Sequence, residues 1–278
     1  MKSEIRNTEQ WGKVLWLSND TLEIGVALDF GIRIVHLSCL GMENLYYVQP
    51  NDLSDNFTSG DWRLYGGHRY WMAPESTDSY CPDNAPISYE LEENGVLITQ
   101  NPDPVLQIRK RIRITFLEDG GVALDHSVEN LSDKTVTGAS WGVNTLDGGG
   151  VAKINFSCGV RGGFRPKRTV SLWSDTNLHD PRVKFEKDSL TATHMADVPG
   201  YFKIGLYVQP GEAVFTNKGQ QFTLGFDVAP MEACPDGGCN FELYMCTRFM
   251  ELEVLGVQTE IAPGKTAEHR EIWHLQKA

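Results

Sequence analysis

LQIRKRIRITFLEDGGVALDHSVEN, residues 106–130, decides how this chain folds. Ile108, Ile112 and Ile114 alternate with Arg109, Arg111 and Arg113, the period of two that a strand with one solvated face requires. Asp119-Gly120-Gly121 interrupts the alternation with turn-forming residues, and VALDHSVEN resumes it. Two alternating runs about a short turn predict an antiparallel hairpin.

The same device recurs along the chain. TLEIGVALDF (21–30) and IRIVHLSCL (32–40) are β-rich runs divided at Asp29-Phe30-Gly31. In ISYELEENGVLITQ (87–100), Asn94-Gly95 tolerates the positive φ of a type I′ turn and predicts a second hairpin. AKINFSC, YFKIGLYV, QFTLGFDV, CNFELYMC, FMELEVLGVQTEI and TAEHREIWHLQ follow as further strand candidates. No amphipathic helix longer than about three turns stands out. Neither a linker, a low-complexity tract nor a repeat divides the chain, so residues 1–278 read as a single domain. The expected fold is all-β, a large antiparallel β-sandwich.

Composition narrows the function. With 278 residues, 41% hydrophobic and 22% charged, the chain can bury a substantial core. A net charge of -12 argues against nucleic acid, whose phosphates call for an excess of Lys and Arg. The polar start MKSEIRNTEQWGK lacks an apolar run, and no stretch of membrane-spanning length follows, so a cytoplasmic protein without a membrane partner is expected. The six cysteines are scattered and read as buried thiols in a reducing compartment.

Two segments could carry chemistry. In LYGGHRYWMAPES (64–76), aromatic residues surround Gly66, Gly67, His68 and Arg69. Aromatic faces with polar tips suit the mixed C–H and hydroxyl surface of a sugar, and a histidine can exchange a proton near neutral pH. The same residues could instead be a bend whose aromatics fill a core. In RFMELEVLGVQ (248–258), Glu251 and Glu253 lie two apart, so a strand puts both carboxylates on one face. That face is either solvated or the wall of a concavity, where burial would make one of the pair a general base.

Other patterns are weaker. RGGFRPKR (161–168) sets Arg161, Arg165, Lys167 and Arg168 in a Gly/Pro loop that is either solvated or a clamp for a carboxylate or phosphate. Phosphate-loop, dinucleotide and nucleophile-elbow motifs are absent. Cys234, Cys239 and Cys246 depart from zinc spacings, and His269 and His274, five apart, fall on opposite strand faces. No metal and no cofactor are expected.

The order of segments resembles the galactose mutarotase-like (aldose 1-epimerase) superfamily. The resemblance lies in GVALDFGIRIVHLSCLGMENLYYV, then LYGGHRYWMAPE, then FMELEVLG and EIAPGKTAEHREIWHL. Within the superfamily it is nearest to a bacterial branch with a Gly-Gly-His-Arg-x-Trp-x-Ala-Pro-Glu segment. The resemblance implies a β-supersandwich with a carbohydrate site on its concave face. It also implies a glutamate that takes the anomeric hydroxyl proton while a histidine protonates the ring oxygen. Glu251 matches that glutamate most directly and Glu253 comes next. Tyr65 stands in the family's early histidine slot, with His68 three residues later as its substitute. Near the second family histidine, GASWGVNTL offers Trp141 and Asn144 instead.

The expected function is therefore that of an aldose 1-epimerase-like enzyme interconverting the anomers of a small-molecule sugar or sugar derivative. Catalysis falls to His68, Glu251 and Glu253, and substrate binding to Arg33, Arg69, Trp71, Glu75, Trp141 and Asn144. The assignment requires His68 and a carboxylate of the 251/253 pair to face one cavity. The alternatives are a non-catalytic carbohydrate-binding or sensor protein on the same fold, and an epimerase or lyase for phosphorylated or acidic sugars.

Overall fold

The computed structural model describes residues 1–57, 60–156 and 168–278. Two antiparallel sheets account for almost all of its regular structure. In the first, hydrogen-bonded neighbours run Lys2–Thr8, Gly12–Ser18, Leu22–Ala27, Arg33–Cys39, Gly60–Ala73, Val136–Asp147, Phe249–Leu255, Phe241–Met245, Phe202–Leu206 and Val170–Leu172. Val48–Phe57 adds to Gly60–Ala73, and Thr259–Ile261 adds to Val136–Asp147. The second sheet runs Val183–Phe185, Ser189–Thr193, Val151–Asn155, Glu212–Asn217, Gln220–Phe226, Thr266–Lys277, Val122–Asn130, Ile108–Phe116, Gly95–Thr99 and Ser88–Glu92. The all-β sandwich expected from the alternation is the fold observed. No helix among the described residues is long and apolar enough to cross a membrane.

The inner faces of the two sheets interdigitate over one apolar core. Ile24, Ile34, Leu252 and Val254 come from the first sheet, while Ile112, Ile114, Leu124, Phe222 and Trp273 come from the second. Burial of a large apolar side chain is worth ~1.5–3 kcal/mol, and these residues recur every second position because the strand period demands it. Cys39, Cys81, Cys234, Cys239 and Cys246 are buried free thiols, and Cys158 lies outside the described residues.

The hairpin at 88–99 forms, but its register pairs Glu92 with Gly95, so the loop is Glu93-Asn94. Neither Asn94 nor Gly95 has positive φ, and the type I′ turn expected at Asn94-Gly95 is absent. Gly95 is needed for another reason. A Cβ there would lie 2.0 Å from the Ile114 carbonyl oxygen on the neighbouring strand.

A second departure shapes the site. The Gly-Gly of the 64–76 segment is not a bend between elements; it lies inside the continuous strand Gly60–Ala73. Tyr65, Gly66 and Gly67 all have positive φ, at 48°, 79° and 72°. This left-handed stretch works as a bulge, and neighbouring backbones close over it. A Cβ on Gly66 would lie 2.0 Å from the Tyr47 carbonyl oxygen, and one on Gly67 2.3 Å from that of Ile34. Gly67→Ala combines an unfavourable φ with a backbone clash and is expected to cost at least ~2 kcal/mol. Chemical denaturation followed by tryptophan fluorescence measures that loss.

Candidate functional site

Strand register sorts the side chains of the first sheet into two sets. Gly67, Thr145, Glu251, Tyr244 and Lys203 form one row across the strands, and Arg69, Val143, Glu253, Glu242 and Gly205 form the next. Trp71 and Trp141 begin a third row on the same face. Between these rows, His68, Asn144, Leu252, Leu243 and Ile204 point the other way, toward the second sheet. The outer rows wall a cavity of about 400 Å³, the inner rows the core.

Aromatic residues make up half of the cavity lining: Trp62, Trp71, Tyr80, Trp141, Tyr201, Tyr244 and Phe249. Trp71 meets Trp141 edge-on with ring centroids 5.2 Å apart. Polar groups are few and placed among the rings. Arg69 Nη2 donates to Glu251 Oε1 at 3.0 Å, and the Thr145 hydroxyl donates to the same oxygen at 2.8 Å. The Arg69 guanidinium lies over the Trp71 ring, 4.1 Å from its centroid, and its Nε and Nη1 are buried without a hydrogen-bond partner. Trp141 Nε1 donates to Glu253 Oε2 at 2.9 Å.

Lys203 gathers the remaining charge. Its ammonium is 2.9 Å from Glu242 Oε2, 3.4 Å from Glu253 Oε2 and 3.5 Å from Glu75 Oε2. Burial would lower its proton affinity, but Glu253, Glu242 and Glu75 outweigh burial and hold it above the ordinary lysine value. Three carboxylates around one cation leave negative charge uncompensated. Burial, with the Glu253 charge, pushes the Glu242 carboxyl up to about 9. Burial is also the main cause that pushes Glu253 up to about 7, with Lys203 opposing it and Glu251 adding to it. A carboxyl with that affinity is present in both forms near neutral pH, which suits proton transfer.

The sequence-derived candidates divide accordingly. Glu251, Glu253, Arg69, Trp71, Trp141 and Glu75 all line the cavity, Glu75 at its exposed rim. His68 and Asn144 do not, and their assignment as catalytic acid and substrate ligand is corrected. One residue from Arg69 in a strand is the opposite face, so His68 is fully buried between the sheets. Its Nδ1 meets Asn144 Oδ1 at 3.1 Å and its Nε2 meets His126 Nε2 at 2.9 Å. Burial pushes its imidazole down to about 3, which keeps it neutral at pH 7. Arg33 is corrected too. It is fully buried, its Nη1 donating to the carbonyls of Leu64 and Gly66 and its Nη2 to Asp83 Oδ2 at 2.9 Å. It braces the left-handed bulge and does not line the cavity.

Lys203, Glu242, Tyr244 and Arg248 escaped the sequence reading. Glu242 and Tyr244 do alternate in CNFELYMC, and Lys203 interrupts YFKIGLYV. That signal became specific only with those strands set beside 249–255. Of the 161–168 loop, Arg161, Arg165 and Lys167 lie outside the described residues, and Arg168 pairs with Asp188. Among the described residues, His68, His126 and Glu271 are the group of donor side chains spaced closely enough to hold a metal, and they lie in the interior.

The Arg69–Glu251 pair gives a direct test of this electrostatic layout. Both side chains are more than nine-tenths buried, so Arg69→Met strands a buried carboxylate and is expected to cost ~3–5 kcal/mol. Adding Glu251→Gln should restore most of that loss. A double-mutant cycle by urea denaturation measures the coupling.

No protein-family model matches the sequence, and no curated protein is similar to it in sequence. Solved structures do resemble it. A protein proposed to be an aldose 1-epimerase, from Escherichia coli K12, superposes with a TM-score of 0.62 at 11% identity, over 95% of this chain and 99% of that one. A galactose mutarotase-like protein from Clostridium acetobutylicum does so with 0.58 at 10% identity, over 100% and 98%. A 4-alpha-glucanotransferase from Thermococcus litoralis gives 0.51 at 13% identity, over all of this chain and 41% of that one. At such identities the likeness speaks for architecture, and this chain has the galactose mutarotase-like β-sandwich fold.

Proposed function

We propose that the outer-face cavity binds a sugar or sugar derivative and interconverts its anomers, an aldose 1-epimerase-like reaction. The observation that carries this reading is the shared face of Glu251 and Glu253, walled by the indoles of Trp71 and Trp141. A volume of about 400 Å³ falls in the range of small-molecule sites. Indole faces take the C–H surface of a pyranose, and the carboxylates take its hydroxyls.

Glu251, tied to Arg69 and Thr145, is the base that takes the proton from the anomeric hydroxyl. Glu253, protonated up to about pH 7, is the acid that delivers a proton to the ring oxygen in place of a histidine. As the C1–O5 bond breaks, the C1–O1 bond becomes a carbonyl. Rotation about C1–C2 presents its other face, and reclosure returns both protons. A carboxyl whose surroundings raise its proton affinity is a usual general acid.

A second reading keeps the binding and drops the chemistry. It is favoured by the absence of histidine from the described residues that line the cavity. A sugar-binding or sensor protein needs the indoles and the hydroxyl ligands but no proton transfer.

Two-dimensional NMR exchange on neutral, phosphorylated and uronic sugars separates these readings. The enzyme reading expects accelerated exchange that Glu253→Gln reduces ~10²–10⁴-fold, the usual worth of one acid–base group. Its sign with pH follows from the raised affinity of Glu253. The acid form is present below about 7 and lost above it, so turnover falls as pH rises through that value. A rate that rises through the same window makes Glu253 the base. Saturable binding lost in Trp141→Ala, with no acceleration by the wild type, establishes the binding protein.

A further inference from the structure

The interior beneath the cavity holds a polar cluster that the proposed reaction does not use. His68 comes from the strand Gly60–Ala73 of the first sheet. His126 and Glu271 come from the adjacent strands Val122–Asn130 and Thr266–Lys277 of the second. All three side chains are fully buried, and one donor atom from each lies within 4.8 Å of the others. We propose that His68, His126 and Glu271 bind one divalent metal ion, zinc by preference, which pins the two sheets together beneath the cavity floor.

Four observations carry the proposal. First, Glu271 is a buried carboxylate without a cation. Its Oε2 accepts from Trp273 Nε1 at 2.8 Å, and its other polar neighbour is the neutral Asn144 side chain, so both partners are neutral and neither is a cation. A buried charge left in that state is costly, and metal coordination is one of the ways proteins compensate it. Second, His68 already has the form of a metal ligand. Its Nδ1 faces Asn144 Oδ1, which also accepts from the Tyr46 hydroxyl at 2.8 Å. That carbonyl oxygen places the proton on Nδ1 and leaves the Nε2 lone pair directed at the cluster, the outer-shell arrangement that orients metal-bound histidines.

Third, the two imidazoles present their Nε2 atoms to each other. The two Nε2 atoms face each other at 2.9 Å, so at most one proton fits between them, and beyond His68 the His126 ring meets only backbone groups of His269 and Leu124. Fourth, the strand opposite is hollowed for the carboxylate. Gly142 faces it, and a Cβ there would sit 2.1 Å from Glu271 Oε1 and 3.2 Å from His68 Cε1. A glycine in the middle of a strand weakens it and marks a close approach, here by a charged group.

Two imidazoles and a carboxylate suit zinc, with bonds of about 2.0–2.2 Å and hence ligand atoms about 3.3 Å apart. The imidazole nitrogens, at 2.9 Å, open by a few tenths of an ångström, and the carboxylate swings in toward them. All three side chains are fully buried, so the ion is structural. It would fix His68 and through it the backbone of Arg69, the residue that holds Glu251.

The test uses the full-length chain without an affinity tag. Elemental analysis of protein from zinc-supplemented growth is expected to find about one zinc per chain. Refolding from chelator-treated denaturant with Zn2+ should raise the melting temperature. Refolding with Co2+ should give visible d–d bands without a thiolate charge-transfer band. Glu271→Gln keeps the size of the side chain and its bond from Trp273, and should lower zinc affinity at least tenfold and abolish the melting shift. Wild-type protein that takes up no metal and shows no melting shift overturns the proposal. So does a thiolate band, or a Glu271→Gln variant that binds zinc as tightly as the wild type.

Discussion

The cavity depends on the left-handed stretch Tyr65–Gly67 and on the arginine that braces it. In an uninterrupted strand, residues of one parity share a face. Before the bulge, Trp62 and Leu64 face the cavity; after it, Arg69 and Trp71 do. The three residues with positive φ shift the strand by one position, so that even numbers before and odd numbers after line the same wall. Arg33 donates to the carbonyls of Leu64 and Gly66 on either side of Tyr65 and stacks on the Tyr65 ring at 5.2 Å. A buried guanidinium tied to Asp83 is thus spent on backbone geometry, and the aromatic wall follows from it.

Charge balance on the outer face is settled by two cations with different tasks. Arg69 serves Glu251 through one nitrogen and the Trp71 face through its plane. A planar, weakly hydrated guanidinium does this well, whereas an ammonium would need more donors around it. Lys203 is a point charge shared by Glu75, Glu242 and Glu253, and it also lies 5.1 Å from the Trp141 ring centroid and 4.9 Å from that of Trp173. Desolvation above all raises the proton affinity of Glu253 into the neutral range, with Glu251 and Glu75 adding to it and Lys203 opposing it.

Much of this architecture is legible in the residues alone. The alternation of Ile108–Ile114 against Arg109–Arg113, and the spacing of Glu251 and Glu253, follow from the geometry of any strand and survive intact in the fold. Trp71 and Arg69, read from the aromatic segment, line the cavity, as does Trp141, which only the resemblance had singled out. His68 is the instructive failure. Its neighbours in sequence are cavity residues, and without knowledge of the bulge its parity relative to Trp62 and Leu64 places it among them. Asn94-Gly95 fails for a related reason, since Gly95 is required by the approach of Ile114 from another strand and not by its own turn.

By itself, then, the sequence determined the period-two pattern, hence two apolar inner faces, an all-β sandwich and a carboxylate pair sharing one side of one strand. These are consequences of covalent geometry and local hydrophobicity, which act over a few residues. Only the tertiary structure decided which side of each strand looks into the cavity, which strands stand beside Phe249–Leu255, and that Lys203 and Glu242 join the site while His68 meets His126 and Glu271 in the interior. Those outcomes depend on a bulge held by a distant arginine and on pairings between segments far apart in the chain. Such long-range contacts leave no periodic trace in the residues that make them.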